Sequence, residues 1–272
     1  MDWEELTSTE FAEARKAAAG VCLAPMGVIE KHGEHLPLGA DYFNVREIVR
    51  RAAKREPAVV FPPFFFGQCH ESKNAPGAIA LGRDTLLALI DNVCSEIARN
   101  GFTKIVLING HGGNEEFLSF YSFTHMDRPR PYALYVVKLR DYVCHGDPRW
   151  QEMKEAEAID WHAGESETSR TMYLHPDKVR TDRTPTGPGE RTGRLDHLPD
   201  HITGVWWPAE FPGQYAGDAP KASVEKGQYL VETGIERLAD LIKRIKADEE
   251  TPRAIDEFFR QAGQGESGDR LP

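Results

Sequence analysis

Cysteine is scarce and scattered. Only Cys22, Cys69, Cys94 and Cys144 occur in 272 residues, with no Cys-x-x-Cys pair. A thiolate zinc site and a dithiol redox motif are thereby excluded. Cys22 and Cys94 fall in apolar periodic segments and read as core thiols, which suits a reducing cytoplasm. No apolar run reaches the roughly 20 residues that a membrane span needs, so no membrane partner is expected. The N-terminal MDWEELTSTEF is acidic and has no apolar h-region, which predicts no signal peptide. Basic charge is in deficit, with 33 Lys+Arg against 43 Asp+Glu and a net charge of −10. No basic run interleaves with aromatics, so nucleic acid is not an expected partner. No internal repeat is visible.

What is present fits one large α/β domain, and 40% hydrophobic residues suffice for a full core. Short apolar runs read as buried strands at Val21–Ile29, Ala58–Phe66 (broken by Pro62-Pro63), Lys104–Ile108 and Tyr132–Lys138. Between them lie amphipathic helices: 8–19, capped by Ser8 or Thr9; 41–55, with Val45, Ile48, Val49 and Ala52 on one face; 84–100, capped by Asp84; and one starting near Glu115. A long helix is expected over 221–246. This alternation predicts a three-layer α/β/α sandwich around a mostly parallel sheet. Residues 181–220 are rich in Gly and Pro, contain Trp206-Trp207, and are too long for an ordinary connector; a lid over the site and a subunit contact are both open readings. Residues 1–250 read as one catalytic domain and 251–272 as a tail that frays towards its end.

Three polar clusters interrupt this pattern. The first, PMGVIEKHGEHLPLGAD, follows a buried strand and holds Glu30, His32, Glu34, His35 and Asp41. Carboxylates and imidazoles this close lose solvation or repel unless something organises them, and a divalent cation accepts both donor types. In extended backbone, residues i and i+2 point the same way, so Glu30 and His32 can face one ion while Asp41 returns from the loop. The alternative for Asp41 is an N-cap. The second cluster, Asn109-Gly-His-Gly-Gly-Asn114, sits directly after a strand, with His111 in a glycine-rich crevice; its backbone N–H groups beside a helix start suit an anion or oxyanion. The third, Asp160 to Ser169, holds His162, Glu165 and Glu167 at a helix start. Capping accounts for part of it, and for Glu165 capping or surface exposure is the expected role. Capping leaves His162 unexplained.

Together these segments resemble the creatininase family of metal-dependent amidohydrolases. The first matches that family's pattern at Gly27, Glu30, His32, Gly33, His35, Leu36, Pro37, Leu38 and Asp41; the second at 109–114; the third, His-Ala-Gly-x-x-Glu-Thr-Ser, at 162–169. Weaker similarity covers Gly67, Glu71, Pro76-Gly77 and Glu225-Lys226-Gly227. The resemblance implies an α/β/α sandwich, often a hexamer, with two divalent ions (zinc, manganese or iron). It implies that Glu30 binds one ion, His32 the other, that Asp41 bridges them, that His111 is a further ligand and that His162 is catalytic. Creatinine-hydrolysing members carry a ligating Glu where this chain has Gly113, and Glu167 is the expected replacement. Lys31 replaces the usual Gln, and Cys69 and Ser72 stand where relatives often carry Ser and His, so creatinine itself is not the expected substrate. The expected reaction is hydrolysis of a non-peptide C–N bond, in a cyclic amide or formamide-like small molecule, by a metal-activated water. Gly112 and Gly113 would face the oxyanion, with Lys31, Trp206 and Trp207 shaping the pocket. Two rival readings are C–C cleavage in a cyclic ketone and a non-catalytic metal-binding oligomer.

Overall fold

The computed structural model describes residues 1–143, 147–157, 159–199 and 203–264. Four strands, β1 (Val21–Met26), β2 (Val59–Val60), β3 (Lys104–Asn109) and β4 (Ala133–Lys138), form one sheet in the order β2-β1-β3-β4. Every pairing is parallel, and β1 and β3 run in register from Val21↔Lys104 to Met26↔Asn109. The helices are α1 (Ser8–Ala17), α2 (Ala40–Arg55), α3 (Arg83–Arg99), α4 (Asn114–Thr124), α5 (Leu139–Val143), α6 (Pro148–Met153), α7 (Glu165–Leu174), α8 (Trp206–Glu210), α9 (Val224–Ala247) and α10 (Glu250–Gln264).

Period-two alternation divides each central strand between two cores. Val21 and Leu23 of β1, with Val106 and Ile108 of β3, pack on α2 and α9 through Val45, Ile48, Val49, Ile235, Leu238 and Ile242. Cys22, Ala24 and Met26, with Ile105 and Leu107, face α1, α3 and α4 through Ala14, Ile90, Cys94, Ile97 and Leu118. Because both strand faces are covered, the strands read as continuous apolar runs and the sandwich has three layers. Each fully buried Leu or Ile contributes roughly 1.5–3 kcal/mol.

Expectation and structure part at β2, which spans Val59–Val60 where a strand over Ala58–Phe66 is expected, and at helix starts. The cap of α1 is Thr7, which forms a reciprocal capping box with Glu10. Gly82 and Gly39 precede α3 and α2, so Asp84 and Asp41 lie in first turns and neither caps. Among the described residues of 181–220 the elements are α8 and short 3-10 turns, as composition suggests. The segment read as a tail carries α10, and 265–272 and Cys144 lie outside the described residues. Among the described residues no helix is long and apolar enough to cross a membrane.

Candidate active site

The parallel sheet sets the site's position, because β1 and β3 both deliver their ensuing loops to the same, carboxyl, edge. After β1 the chain passes against the first turn of α2 at Gly27, where a Cβ would overlap the backbone of Tyr42. The loop then doubles back, with Glu30 N–H donating to Leu38 O at 2.9 Å. This fold-back brings Asp41, in the first turn of α2, against His32: His32 Nε2 donates to Asp41 Oδ1 at 3.1 Å and Nδ1 to Glu30 O at 3.2 Å. After β3, Asn109 holds the next turn by donating to His111 O (2.7 Å) and accepting from His111 N (3.1 Å). His111 Nδ1 thereby lies 2.9 Å from Glu30 Oε1 and 3.0 Å from Asp41 Oδ2.

The third cluster arrives from the other side. His162 is pinned by a two-way backbone bridge to Ala216, at 3.0 and 2.9 Å. Its Nε2 donates to Lys31 O at 2.8 Å, which fixes the tautomer and leaves Nδ1 facing Glu30 Oε1 at 3.9 Å. The ring stacks on His32 with centroids 4.3 Å apart and meets Trp207 edge-on. Glu167, in the first turn of α7, accepts from Ala163 N at 2.6 Å and groups with His32 and Asp41. The start of α7 is covered by Asp160, whose carboxylate accepts from Ser166 N.

Glu30, His32, Asp41 and His111 are all buried. Burial opposes charge on every one of them, yet mutual attraction wins. Asp41, chiefly, raises His32 against its desolvation to about 10. Glu30, resisted by burial, is drawn down to about 2 by His111 and His162. His111 is likewise raised by Glu30, and Asp41 lowered by His32. Even so, Glu30 Oε1, Asp41 Oδ2 and His111 Nε2 have no aligned hydrogen bond. Glu30 Oε1 and Asp41 Oδ2 lie at the Nδ1 side of the His111 ring and Nε2 faces Glu71; buried oxygen and nitrogen atoms without an aligned partner are what a bound cation would satisfy. Donor atoms of Glu30/His32/His162, of Glu30/Glu71/His111 and of His32/Asp41/Glu167 lie within 4.8 Å of one another in each group. Oxygen and imidazole donors of this kind fit zinc, manganese or iron.

A cavity of about 670 Å³ opens over the cluster, lined by Gly112, Gly113, His162, Trp206 and Trp207 among others. Lys31 is not in that lining; its ammonium pairs with Glu34. Glu165 is not a surface residue. It is fully buried and salt-bridged to Lys226 of α9 at 2.5 Å. Glu167 stands beside His32 and Asp41, whereas Gly113 faces His111 and Glu71, so Glu167 does not take up the space at position 113. Two participants carry little signal of their own in the sequence. Glu71 reads as a loop carboxylate, marked only by weak family similarity. Gln214 is buried in residues 181–220, with positive φ. Its Oε1 accepts from Trp207 Nε1 (2.6 Å), its Nε2 donates to Glu71 O (3.4 Å) and its carbonyl accepts from Gly33 N (2.8 Å).

Fold and site together define a class: a layered α/β protein with a buried carboxylate–imidazole centre at the carboxyl ends of its parallel strands. Residues 4–242 match the sequence profile of the creatininase family, described as creatinine amidohydrolase. The chain belongs to that family of hydrolases. It is 30% identical to a creatinine amidohydrolase of Pseudomonas putida, over 88% of this chain and 95% of the relative. It is 29% identical to a mycofactocin precursor peptide peptidase of Mycolicibacterium smegmatis, over 83% and 85%. A 3-dehydro-scyllo-inosose hydrolase of Thermotoga maritima is 24% identical over 90% and 82%. A solved creatininase superposes with a TM-score of 0.77 at 26% identity, covering 89% of this chain and 96% of its own. Other solved creatininases include a manganese form and a mutant described as Zn-Zn type, with TM-scores of 0.75 and 0.77.

Proposed function

We propose that the protein is a metal-dependent amidohydrolase that cleaves a non-peptide C–N bond of a small molecule, in a cyclic amide or formamide-like group. The observation that carries this reading is the convergence of unsatisfied Glu30, Asp41 and His111 atoms beneath a small-molecule-sized cavity. Glu30, His32, Asp41 and His111 would hold two divalent ions, zinc, manganese or iron, with Glu167 on the His32–Asp41 side. When bound, such ions supply Lewis acidity, lowering the pKa of bound water towards neutrality and polarising a carbonyl.

The chain's own residues supply the rest. His162, with Nε2 committed to Lys31 O, has Nδ1 free to carry a proton to the leaving nitrogen. Trp207 holds that ring in place by its edge-on contact. Gly112 and Gly113 lie at the start of α4, where the helix dipole favours negative charge on a substrate oxygen. Trp206 and Trp207 provide flat apolar walls that keep water out. The reading extends to a cytoplasmic homo-oligomer, a hexamer by family resemblance, whose mass light scattering would measure.

A second reading keeps the ions and changes the bond, to hydrolytic C–C cleavage in a cyclic ketone. The relative named as an inosose hydrolase motivates it. The test is to strip the protein with chelator, reload it with manganese or zinc, and screen cyclic amides, formamides, ureides and cyclic ketones. Metal-dependent release of ammonia or an amine is expected. A carboxylic acid formed from a cyclic ketone, with no new ammonia or amine group, would move the assignment to the second reading. Bound ions with no turnover of any class would leave a non-catalytic metal-binding oligomer.

A further inference from the structure

Gly113 is the residue before α4, at φ −63°, a backbone conformation open to any amino acid. Its lack of a side chain is therefore not demanded by the turn. The space is taken instead: a Cβ there would overlap Glu71 Oε1 and sit 2.5 Å from His111 Nε2, so a side chain at 113 would have to displace the Glu71 carboxylate. The volume of a side chain at 113 is already occupied by a carboxylate from a distant loop. The turn that carries it is held firmly by its backbone and neighbours. Glu71 belongs to a 3-10 turn, His70–Ser72. The turn is clamped on one side by Gln68, which donates to Asn114 Oδ1 (2.7 Å) and to Gly113 O (3.2 Å). On the other side Gln214 donates to Glu71 O, and the Ser72 hydroxyl donates to Glu30 Oε2. Glu71 Oε1 ends 3.4 Å from His111 Nε2, a buried nitrogen with no hydrogen bond.

We propose that Glu71 is a ligand of the ion held by Glu30 and His111, so that this site's carboxylate reaches the metal from residues 70–72 instead of from position 113. The inference rests on the metal-dependent reading above and deepens it. It makes a glycine at 113 a consequence of the carboxylate at 71. It also explains why Glu167 need not move: each ion has its own acidic partner, Glu71 on one side and Glu167 on the other. The donor set on the Glu71 side is then two carboxylates and one imidazole, a composition that takes zinc or manganese.

The test is metal binding by the full-length chain. Wild type, Glu71→Gln and Glu71→Ala are stripped and titrated with Mn²⁺ or Zn²⁺ by calorimetry, and metal per chain is counted after dialysis. Wild type is expected to take two ions. Loss of an outer-shell partner alone weakens a site 10- to 100-fold, so Glu71→Gln should weaken one of the two steps by about tenfold or more and leave the other unchanged. Glu71→Gln keeps the side chain's shape, so an unchanged melting temperature of the stripped protein excludes a merely structural effect. Two ions bound by Glu71→Gln at wild-type affinity would overturn this inference and leave the proposed function standing. No ion bound by wild type would overturn both.

Discussion

Two buried charge clusters lie within one molecule and are built in opposite ways. Around Lys226, every polar atom is used. Its three N–H bonds go to Glu155 (2.7 Å), Glu165 (2.5 Å) and the Lys221 carbonyl (2.8 Å). Glu165 also accepts from Glu155 N and Ala156 N. Around His111 the charges are as close, yet Glu30 Oε1, Asp41 Oδ2 and His111 Nε2 end without aligned partners. Native proteins satisfy buried polar groups almost everywhere. The Lys226 cluster shows that this fold does so where the charges only tie α7 to α9. Single buried atoms without a hydrogen bond also occur at His35 Nδ1, Asn44 Oδ1 and Arg130 Nε; what sets the His111 cluster apart is that its three belong to residues in groups close enough to hold an ion, and on the proposed reading a bound cation completes them.

The largest effect expected from that difference is at His111. On the proposed reading, His111→Ala removes metal and activity together, and elemental analysis of the purified variant should find at least one ion missing per chain. A variant that retains full metal and turnover would erase the distinction between the clusters. His162→Ala comes next. It should keep its metal and lose turnover by about 10²–10⁴-fold, the usual contribution of a positioned general acid. Wild-type rates from that variant would remove His162 from the mechanism.

What the sequence discloses follows the range of the interaction involved. The sheet and its flanking helices are legible because periodicities of two and 3.6 are local, and each central strand obeys them. The clustering of Glu30, His32, Asp41 and His111 at one sheet edge is legible because the motifs directly follow strands. Helix starts are less so: whether Thr7, Ser8 or Thr9 caps depends on where the backbone turns, which residue identity alone leaves open. Glu165 looks like a capping or surface acid because its partner Lys226 lies 61 residues on. Glu71 is hidden for the same reason, since its meaning depends on a glycine in another segment. Residues 181–220 carry no periodic signal. Only the fold brings Trp207, Gln214 and Ala216 from there to the second side of the site.

The satisfied cluster yields a smaller effect of a different kind. Lys226→Met leaves Glu165 buried without its cation and should cost about 3–5 kcal/mol of stability, read by urea unfolding, while metal per folded chain stays unchanged. Replacing both partners, Glu165→Leu with Lys226→Met, should recover much of that loss, because a satisfied pair can often be exchanged for apolar packing. The comparison fails if the double variant folds and has lost its metal.

The smallest effect is at a helix cap next to that cluster. Ser223 caps α9 by accepting from Lys226 N at 3.2 Å. Ser223→Ala removes that acceptor and leaves one N–H of the first turn unpaired. The bond is partly buried, and the expected penalty is that of an ordinary cap, about 1 kcal/mol. Ser223 N–H still donates to Ser169 Oγ at 3.1 Å, so the contact between α9 and α7 is kept. Urea midpoints should therefore shift by that amount alone, with metal content and turnover untouched. A loss of metal from so remote a change would mean that the two clusters are coupled through α7, and that separating a structural from a functional charge group is wrong for this fold.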